Sequence, residues 1–404
     1  MPSTLTWIDR NSAARERALR ILSLFQEKDS REELGLGAIR DSFADRLFPG
    51  TSTIQTRLRY MLFVPWVYME LERKRVPPPA FAAKARQMET ALIDPLLANS
   101  DHAGVFGKVA GKSVKRLPSS VYWNGLGVWG IRRITCSQDE YQRHVDGVYR
   151  RRDSYHGRHE KDDFSEIATW HPHLPRPPNG FPDAVGDLSF SLEVEEASFL
   201  LDRLSESHKE SLLTHLALKC EPVDCEFPWE HPDRDNFSSI HKELLNYAEL
   251  FSVIMHGAAF LYNLMLAEQA GREKLREEHR ENLDGWKSRL RNCRHINLSP
   301  EGIWELTAGE GHTITARAKD FVSFWCRRAL ETQGNVADDP ESKMLVRNRE
   351  RRLKGVRSRF MNPRTLDQWN GYAGLRQMEY RWGNVKTLLS DLHSGLNGVG
   401  DAKS

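Results

Sequence analysis

The chain has 404 residues, of which 39% are hydrophobic, and it contains 11 Trp and 17 Phe. This length and composition predict a folded protein of two or three domains and exclude an intrinsically disordered chain. Because 58 basic and 56 acidic residues leave a net charge of only +2, any surface that binds a polyanion must be a local cluster.

Helical periodicity begins near the N-terminus. Apolar residues recur at three- and four-residue spacing in residues 18–25 and 39–47, which predicts two amphipathic helices. Residues 51–53 predict the start of a very apolar third helix, in which Pro65 should introduce a kink. A fourth helix is predicted over residues 80–97.

The longest helical stretch is predicted at residues 238–281. Between residues 250 and 266 its strongly polar residues are Ser252, His256 and Asn263. A helix that is apolar on nearly every side must be enclosed by other elements, so we expect it to be the buried centre of a helical domain. Beyond Glu268 it becomes charged, and a favourable pair of Glu268 with Arg272 predicts a solvated continuation.

Alternating patterns typical of strands are almost absent. We therefore predict an all-α, multi-helical fold with two packed helical domains around the long buried helix. The N-terminal domain is expected at residues 1–152, a proline- and histidine-rich linker loop at 153–187 and the C-terminal domain at 188–404. The last domain includes a basic helix at 343–359 and an amphipathic helix within 369–392.

The strongest functional signal is the basic segment 343–364, in which nine Lys or Arg residues accompany one acid, Glu350. Four of the nine are spaced by four, four and three residues and so share one helix face: Lys343, Arg347, Arg351 and Lys354. Such a stripe suits a row of DNA phosphates. A solvated face that pairs with acidic neighbours is an equally good interpretation.

A turn rich in glycine and lysine, at residues 104–115, is a second candidate for phosphate contact. Its GKVAGKS sequence has one residue too few between the glycines for a nucleotide-hydrolase phosphate loop, and no apolar strand precedes it. We interpret it as a turn whose N–H groups and lysines contact DNA phosphate, with an ordinary glycine-rich turn as the alternative. The lysines are Lys108, Lys112 and Lys115.

Aromatic and basic residues lie together directly after this turn. The candidates for nucleic-acid contact are Tyr122, Trp123, Arg132 and Arg133. Rings beside cations suit stacking on a flipped base, and Asn124, which we also count as a candidate catalytic residue, would read the edge of that base. Packing in the core is the alternative for each ring.

Residues 49–53, which precede Arg57 and Arg59, resemble an anion-binding site, because the start of a helix there would offer free backbone N–H groups. Plain helix capping is the alternative interpretation. Asp41 and Asp45 lie four residues apart just upstream. Either is a candidate general base, although acids at this spacing are usually solvated.

Two groups of potential metal ligands occur. The first group contains His156, His159, Glu160, Asp163, His171 and His173. The second group contains Cys220, Cys225, Cys293 and His295. Neither has a recognised ligand spacing, so we expect no metal site and no cofactor.

The cellular compartment follows from cysteine usage and apolar runs. The five cysteines are scattered and odd in number, which fits a reducing compartment. The N-terminal sequence MPSTLTWIDR has no signal pattern, and no uninterrupted apolar run approaches the ~20 residues that span a bilayer. We expect a cytoplasmic protein without membrane contact.

Four stretches resemble a bacterial family known only as a domain of unknown function: residues 6–68, 116–133, 170–182 and 377–396. This resemblance implies a place in phage-defence islands, near helicase, nuclease and methyltransferase genes, and hence action on foreign DNA. The chain is also similar to helical defence proteins that excise modified bases from phage DNA. No catalytic residue is implied, because the family motif carries no assigned roles.

These observations predict a DNA-acting protein of anti-phage defence. The first hypothesis is a glycosylase-like hydrolase that flips a modified base and uses an acid such as Asp41 to position water. The second is a non-catalytic DNA-binding subunit that loads a helicase or nuclease partner, and the third is a structural helical adaptor.

Overall fold

The computed structural model describes residues 33–156, 168–182, 188–293, 300–309 and 311–398. The α-helices in chain order are α1 (Gly37–Leu47), α2 (Tyr60–Arg73), α3 (Pro78–Ala91), α4 (Ile93–Ala98), α5 (Pro118–Val128), α6 (Gln138–Arg143), α7 (Val145–His156), α8 (Val194–Ser207), α9 (Leu212–Lys219), α10 (Ser239–Gln269), α11 (Glu273–Asn292), α12 (Pro300–Leu306), α13 (Ala316–Glu331), α14 (Pro340–Lys354), α15 (Pro363–Asp367) and α16 (Trp382–Leu396). No strand occurs among the described residues, where an isolated bridge joins Arg132 to Trp170. The predicted all-α fold is confirmed for this part of the chain, whereas the helix predicted over 18–25 lies outside it.

The chain divides into two compact units, each built from two separate stretches. Unit 1 contains the described residues of Met1–Phe43 and Lys242–Tyr380, and unit 2 contains those of Ala44–His241 and Arg381–Ser404. The units do not follow the boundaries expected at residues 152 and 188. Within unit 2, α16 from the end of the chain packs on α8 and α9, so a division by sequence order cannot describe it.

Unit 1 is organised around α10. By length and composition this helix could cross a membrane, but 89% of its most apolar window is buried inside the protein, which is consistent with a soluble protein. The indole N–H groups of Trp286 and Trp325 donate to the backbone carbonyls of Val253 and Ile254 at 2.7 and 2.8 Å. These two tryptophans therefore cover part of the apolar helix, which lacks a solvated face and must be covered by other elements.

The three strongly polar residues in the apolar part of α10, residues 250–266, all bind one irregular segment, residues 369–378. The Ser252 hydroxyl donates to the carbonyl of Met378, and the His256 ring lies 2.7 Å from the carbonyl of Leu375. The Asn263 amide donates to the Ala373 carbonyl and accepts from the Ala373 N–H and the Trp369 indole. These bonds satisfy polar groups that burial would otherwise leave unpaired.

The single stretch predicted at 238–281 is two helices. Gly271 has a φ of 64° and ends α10, and α11 starts two residues later. The predicted pair of Glu268 with Arg272 does not form, since Glu268 binds Lys343 at 3.0 Å and the Arg272 guanidinium lies over the Trp369 ring. A left-handed glycine redirects the chain and so gives both charges new partners.

Other predicted helix boundaries move for similar local reasons. The helix expected from residue 51 begins at Tyr60, because the preceding loop bonds internally: Thr51 donates to the Phe48 carbonyl and Gln55 to the Gly50 carbonyl. The helix expected over 80–97 is divided between α3 and α4. The last helix starts at Trp382, after the left-handed Arg381.

Two buried carboxylates stabilise the aromatic core of unit 2, where α2 packs on α3 and α5. Glu72 accepts from the Trp170 indole at 2.8 Å and from Tyr141 and Arg152. Glu89 accepts from the N–H and hydroxyl of Ser119 at 2.8 and 2.7 Å. Burial raises the pKa of Glu89 to about 7, against the opposing effect of the Ser119 hydrogen bonds.

Replacing Gly257 with alanine should destabilise the protein, because the new Cβ would lie 2.2 Å from the buried Trp286 ring. We expect a loss of roughly 1–3 kcal/mol in the free energy of unfolding, measured by urea denaturation. The matched control is Gly285→Ala in α11, where a Cβ meets nothing within 4 Å. That variant should gain roughly 0.5–1 kcal/mol, and equal effects in the two variants would contradict this packing.

The pKa of Glu89 predicts a pH dependence of stability. The carboxyl group holds its proton to about pH 7 in the folded protein but titrates near 4.5 when unfolded. Its stabilising contribution is therefore complete below pH 4.5 and falls as pH rises to about 7, by roughly 3 kcal/mol. Glu89→Gln should remove this slope in thermal melts from pH 4.5 to 7.5, whereas a substitution at the exposed Glu195 should keep it.

Candidate functional site

Unit 2 contains an open polar cleft of about 720 Å³. Its wall includes Thr56, Arg57, Asp101, Gly104, Asp224, Asn384, Lys386 and Asp391. These residues come from four separate parts of the chain: the loop before α2, the turn that follows α4, the loop after α9, and α16. A cleft of this size with several convergent polar groups is the kind of place where small ligands bind.

An ion pair between Arg57 and Asp391 forms the inner part of the cleft. The Arg57 Nε lies 3.1 Å from both carboxylate oxygens of Asp391, and Nη2 lies 2.9 Å from Oδ1. The N–H of Leu58 donates to the same carboxylate at 2.8 Å. Arg57 Nη1 also binds Asp101 at 2.7 Å, and the guanidinium lies 4.5 Å from the Phe190 ring. Two carboxylates therefore hold one arginine in a fixed plane.

The protonation of this pair follows from burial and charge. Burial raises the pKa of Asp391, and the hydrogen bonds from Arg57 and Leu58 oppose that rise. Burial by itself would lower the pKa of Arg57, but hydrogen bonds and charge from Asp391 and Asp101 outweigh it and raise the pKa. Arg57 therefore stays charged at every physiological pH.

A buried tyrosine positions Arg57. The Tyr122 hydroxyl accepts from the N–H groups of Thr56 and Arg57 at 2.9 and 3.1 Å and donates to the Arg57 carbonyl at 2.7 Å. Gly104 lies on the other side, where a Cβ would approach the Arg57 Cγ to 2.9 Å. Because Gly104 has a φ of 84°, a side chain there is disfavoured by conformation as well as by space.

The outer wall of the cleft is held by α16. Asn384 donates to the Gln55 carbonyl at 2.6 Å, and Lys386 binds the exposed Asp224 at 2.7 Å. Three carboxylates face two cations in this cleft, so it suits an uncharged polar molecule such as a sugar or a base better than a phosphate.

Sequence patterns single out Arg57 but not its partners. Asp391 is an acid between the buried Leu388, Leu389 and Leu392, an unusual place for a charge on an amphipathic helix. That pattern is a readable signal for a buried, paired acid. Its pairing with a residue 334 positions earlier is not readable from one sequence.

The rings proposed to stack on a flipped base lie in the core. Tyr122 is completely buried, and Trp123 is buried with its indole N–H donating to the Cys136 carbonyl at 3.0 Å. Arg132 is also buried, with its guanidinium 4.9 Å from the Trp123 ring, whereas Arg133 and Asn124 are exposed. The alternative interpretation, packing in the core, therefore describes both Tyr122 and Trp123, because neither ring offers a face to a base.

The turn at 104–115 places its three lysines on the surface. Several of its backbone N–H groups are used within the turn: those of Lys108, Gly111, Ser113 and Val114 donate to turn carbonyls. A phosphate contact here therefore depends on the side chains of Lys108, Lys112 and Lys115 rather than on a cradle of free N–H groups.

The remaining candidates upstream are paired. Arg59 is buried and binds Glu196 at 2.8 Å, and the loop at 49–53 is not a helix start and so lacks the expected anion site. Asp41 accepts from Arg40 at 3.0 Å, and Asp45 binds Arg381. None of these side chains lines the cleft.

Four of the nine basic residues in segment 343–364 bind groups inside unit 1. Lys343 binds Glu268, and Arg349 is buried and donates to the carbonyls of Leu34 and Gly35. Lys354 and Arg359 both bind Glu33. Although burial acts to raise the pKa of Glu33, the hydrogen bonds and charges of Arg359 and Lys354 lower it overall. The predicted stripe of four is therefore not a uniform solvent-facing row.

Five arginines of the same segment are exposed, and we call them the arginine surface: Arg347, Arg351, Arg352, Arg357 and Arg364. Among the described residues, Arg351, Arg352 and Arg364 form no ion pair. The acid of the segment, Glu350, is completely buried and accepts from the N–H of Arg359 at 2.8 Å, so it does not reduce the surface charge. The same segment also has three exposed apolar side chains: Met344, Val356 and Met361.

The described residues thus define an all-helical protein with a polar cleft in one unit and an arginine surface on the other. The chain belongs to a family of unknown function (DUF6361), whose model matches residues 2–395. Comparison with curated proteins and with solved structures gives no match.

Proposed function

We propose that this protein binds DNA through the arginine surface of unit 1. The observation that carries the proposal is the selective exposure of five arginines in a segment whose acid is buried. Lys343, Lys354 and Arg359 pair with acids inside unit 1. Among the described residues, Arg351, Arg352 and Arg364 form no ion pair. Guanidinium groups bind phosphate in a bidentate manner and release condensed counterions, which favours a nucleic acid as the ligand.

A second candidate activity, hydrolysis of the bond between base and sugar, is supported by the cleft of unit 2. Asp101 and Asp224 are exposed carboxylates in its wall, and the cleft has room for a nucleoside. A carboxylate there would take a proton from water while the water oxygen bonds to C1′ and the C1′–N bond breaks. The carboxyl group then passes that proton to the nitrogen of the leaving base and returns to its ionised form. In this proposal the general base is Asp101 or Asp224 rather than Asp41, which does not line the cleft.

The biological setting is part of the same proposal. A cytoplasmic protein that binds foreign DNA, or that also removes modified bases from it, would serve anti-phage defence, alone or as the DNA-binding subunit of a helicase or nuclease. The cleft supports the enzymatic version and the arginine surface supports both versions.

Neutralising the arginine surface should weaken DNA binding. In the triple variant Arg347→Gln, Arg351→Gln and Arg352→Gln we expect at least about tenfold weaker binding to a duplex oligonucleotide at low salt, because three phosphate contacts are lost. The slope of log affinity against log salt should fall by about one per arginine. Fluorescence anisotropy over a salt series measures both quantities.

The matched control removes three exposed arginines that pair with acids on unit 2: Arg73→Gln, Arg143→Gln and Arg150→Gln. This control has the same change in net charge and should bind DNA nearly as the wild type does. Equal losses in the two triple variants would show that net charge, and not the arginine surface, governs binding. Binding to anionic vesicles but not to DNA would instead assign the surface to a membrane.

The hydrolase version predicts base release by the purified protein. We expect abasic sites in DNA that carries modified cytosines, quantified with an aldehyde-reactive probe, and at least about a hundredfold slower release in Asp101→Asn or Asp224→Asn. Asp139→Asn, an exposed acid that pairs with Arg143 away from the cleft, is the control. Tight binding by the wild type with no abasic sites would leave the non-catalytic version.

A further inference from the structure

Three side chains of different metal-binding chemistry converge in unit 2. Cys220 follows the last residue of α9, and His231 and Asp233 lie at the start of the 3-10 helix Pro232–Asn236. One ligand atom from each, a sulfur, a ring nitrogen and a carboxylate oxygen, lie within 4.8 Å of one another. Cys220 and His231 are buried and Asp233 is half-buried. A mixed set of sulfur, nitrogen and oxygen donors is typical of a site for zinc or a similar divalent metal ion.

Local structure fixes the His231 ring. Pro232 starts the 3-10 helix, and the N–H of Asp233 donates to the ring Nδ1 at 3.1 Å. The Asp233 carboxylate lies 4.0 Å from the same nitrogen. The ring also packs against Phe237, with ring centroids 5.3 Å apart. Because the lone pair of Nδ1 accepts this N–H, a metal ion bound at Nδ1 would replace the hydrogen bond, while packing against Phe237 keeps the ring in place.

A small cavity of about 10 Å³ lies against Cys220 and His231, with room for about one water molecule. His393 of α16 also lines it, and its Nε2 is buried without a hydrogen-bond partner among the described residues. A buried ring nitrogen without a partner is costly, and a metal ion or its bound water would remove that cost. Lys386 lines the cavity too, but its ammonium group binds Asp224 and the Cys225 carbonyl.

We propose that Cys220, His231 and Asp233 bind one divalent transition-metal ion, with zinc as the best match to the donor set. His393 or a water molecule supplies the fourth ligand from the cavity. Zinc bonds to sulfur of about 2.3 Å and to nitrogen of about 2.0 Å require ligand atoms roughly 3.3–3.6 Å apart, so the ligands must close by about 1 Å. Of the residues grouped as ligands by sequence, this site contains Cys220, whereas Cys293 belongs to unit 1 and His295 lies outside the described residues.

The test is a metal titration of the full-length protein after removal of metal with a chelator. We expect about one equivalent of Co²⁺ to bind, with a thiolate-to-cobalt absorption band, and Zn²⁺ to displace it. Cys220→Ser should abolish this band. Cys220→Ser, His231→Gln and Asp233→Asn should each raise the dissociation constant at least about tenfold.

Two variants outside the cluster are the controls, Cys136→Ser and the exposed His144→Gln, and both should titrate as the wild type does. The proposal is overturned if the wild type binds no cobalt with a thiolate band, or if Cys220→Ser leaves the titration unchanged. Because Cys220 is buried, circular dichroism checks the fold of each variant. The half-buried Asp233→Asn provides an independent test, and a folded Asp233→Asn protein with undiminished affinity also overturns the proposal.

Discussion

Unit 1 depends on the hydrogen bonds between a buried helix and an irregular segment. Because the apolar part of α10 is enclosed, its polar side chains need hydrogen-bond partners inside the protein. Asn263 does this by pairing with both backbone groups of Ala373, and Ser252 and His256 bind carbonyls farther along the same segment. In turn, these side chains of α10 are hydrogen-bond partners for backbone groups of residues 369–378, which no helix or sheet satisfies. Separating α10 from residues 369–378 would therefore leave unpaired polar groups on both elements.

Internal charge pairing also determines which surface is available to a partner. The chain is nearly neutral, and many of its cations are used inside a unit: Arg57 and Arg59 bind acids in unit 2, and Arg349 binds carbonyls in unit 1. Pairing of this kind stabilises a fold but presents little charge to solvent. In the arginine surface, by contrast, Arg351, Arg352 and Arg364 are exposed and form no ion pair among the described residues, and the acid of the segment is buried.

In unit 2, α16 connects the cleft with the proposed metal site. It contributes Asp391 and Asn384 to the cleft and His393 to the cavity beside Cys220, and Lys386 lines both. The loop after α9 is also shared, since Pro222 lines the cleft and the cavity. A metal ion bound at Cys220 would therefore restrain one wall of the cleft. In this way a structural ion would influence the shape of the candidate active site.

The sequence by itself determined the helical class and the buried helix, because periodicity and an all-round apolar stretch are local properties. It also identified the basic segment 343–364 and Arg57 as candidates for function. It could not determine which cations stay exposed, that Tyr122 and Trp123 face the core, or that Arg57 meets Asp391, since these outcomes depend on contacts between distant positions. Helix ends moved where one left-handed residue, such as Gly271, redirected the chain. Only the tertiary structure brought Cys220, His231 and Asp233 together, because folding and not spacing sets the distance between ligand atoms.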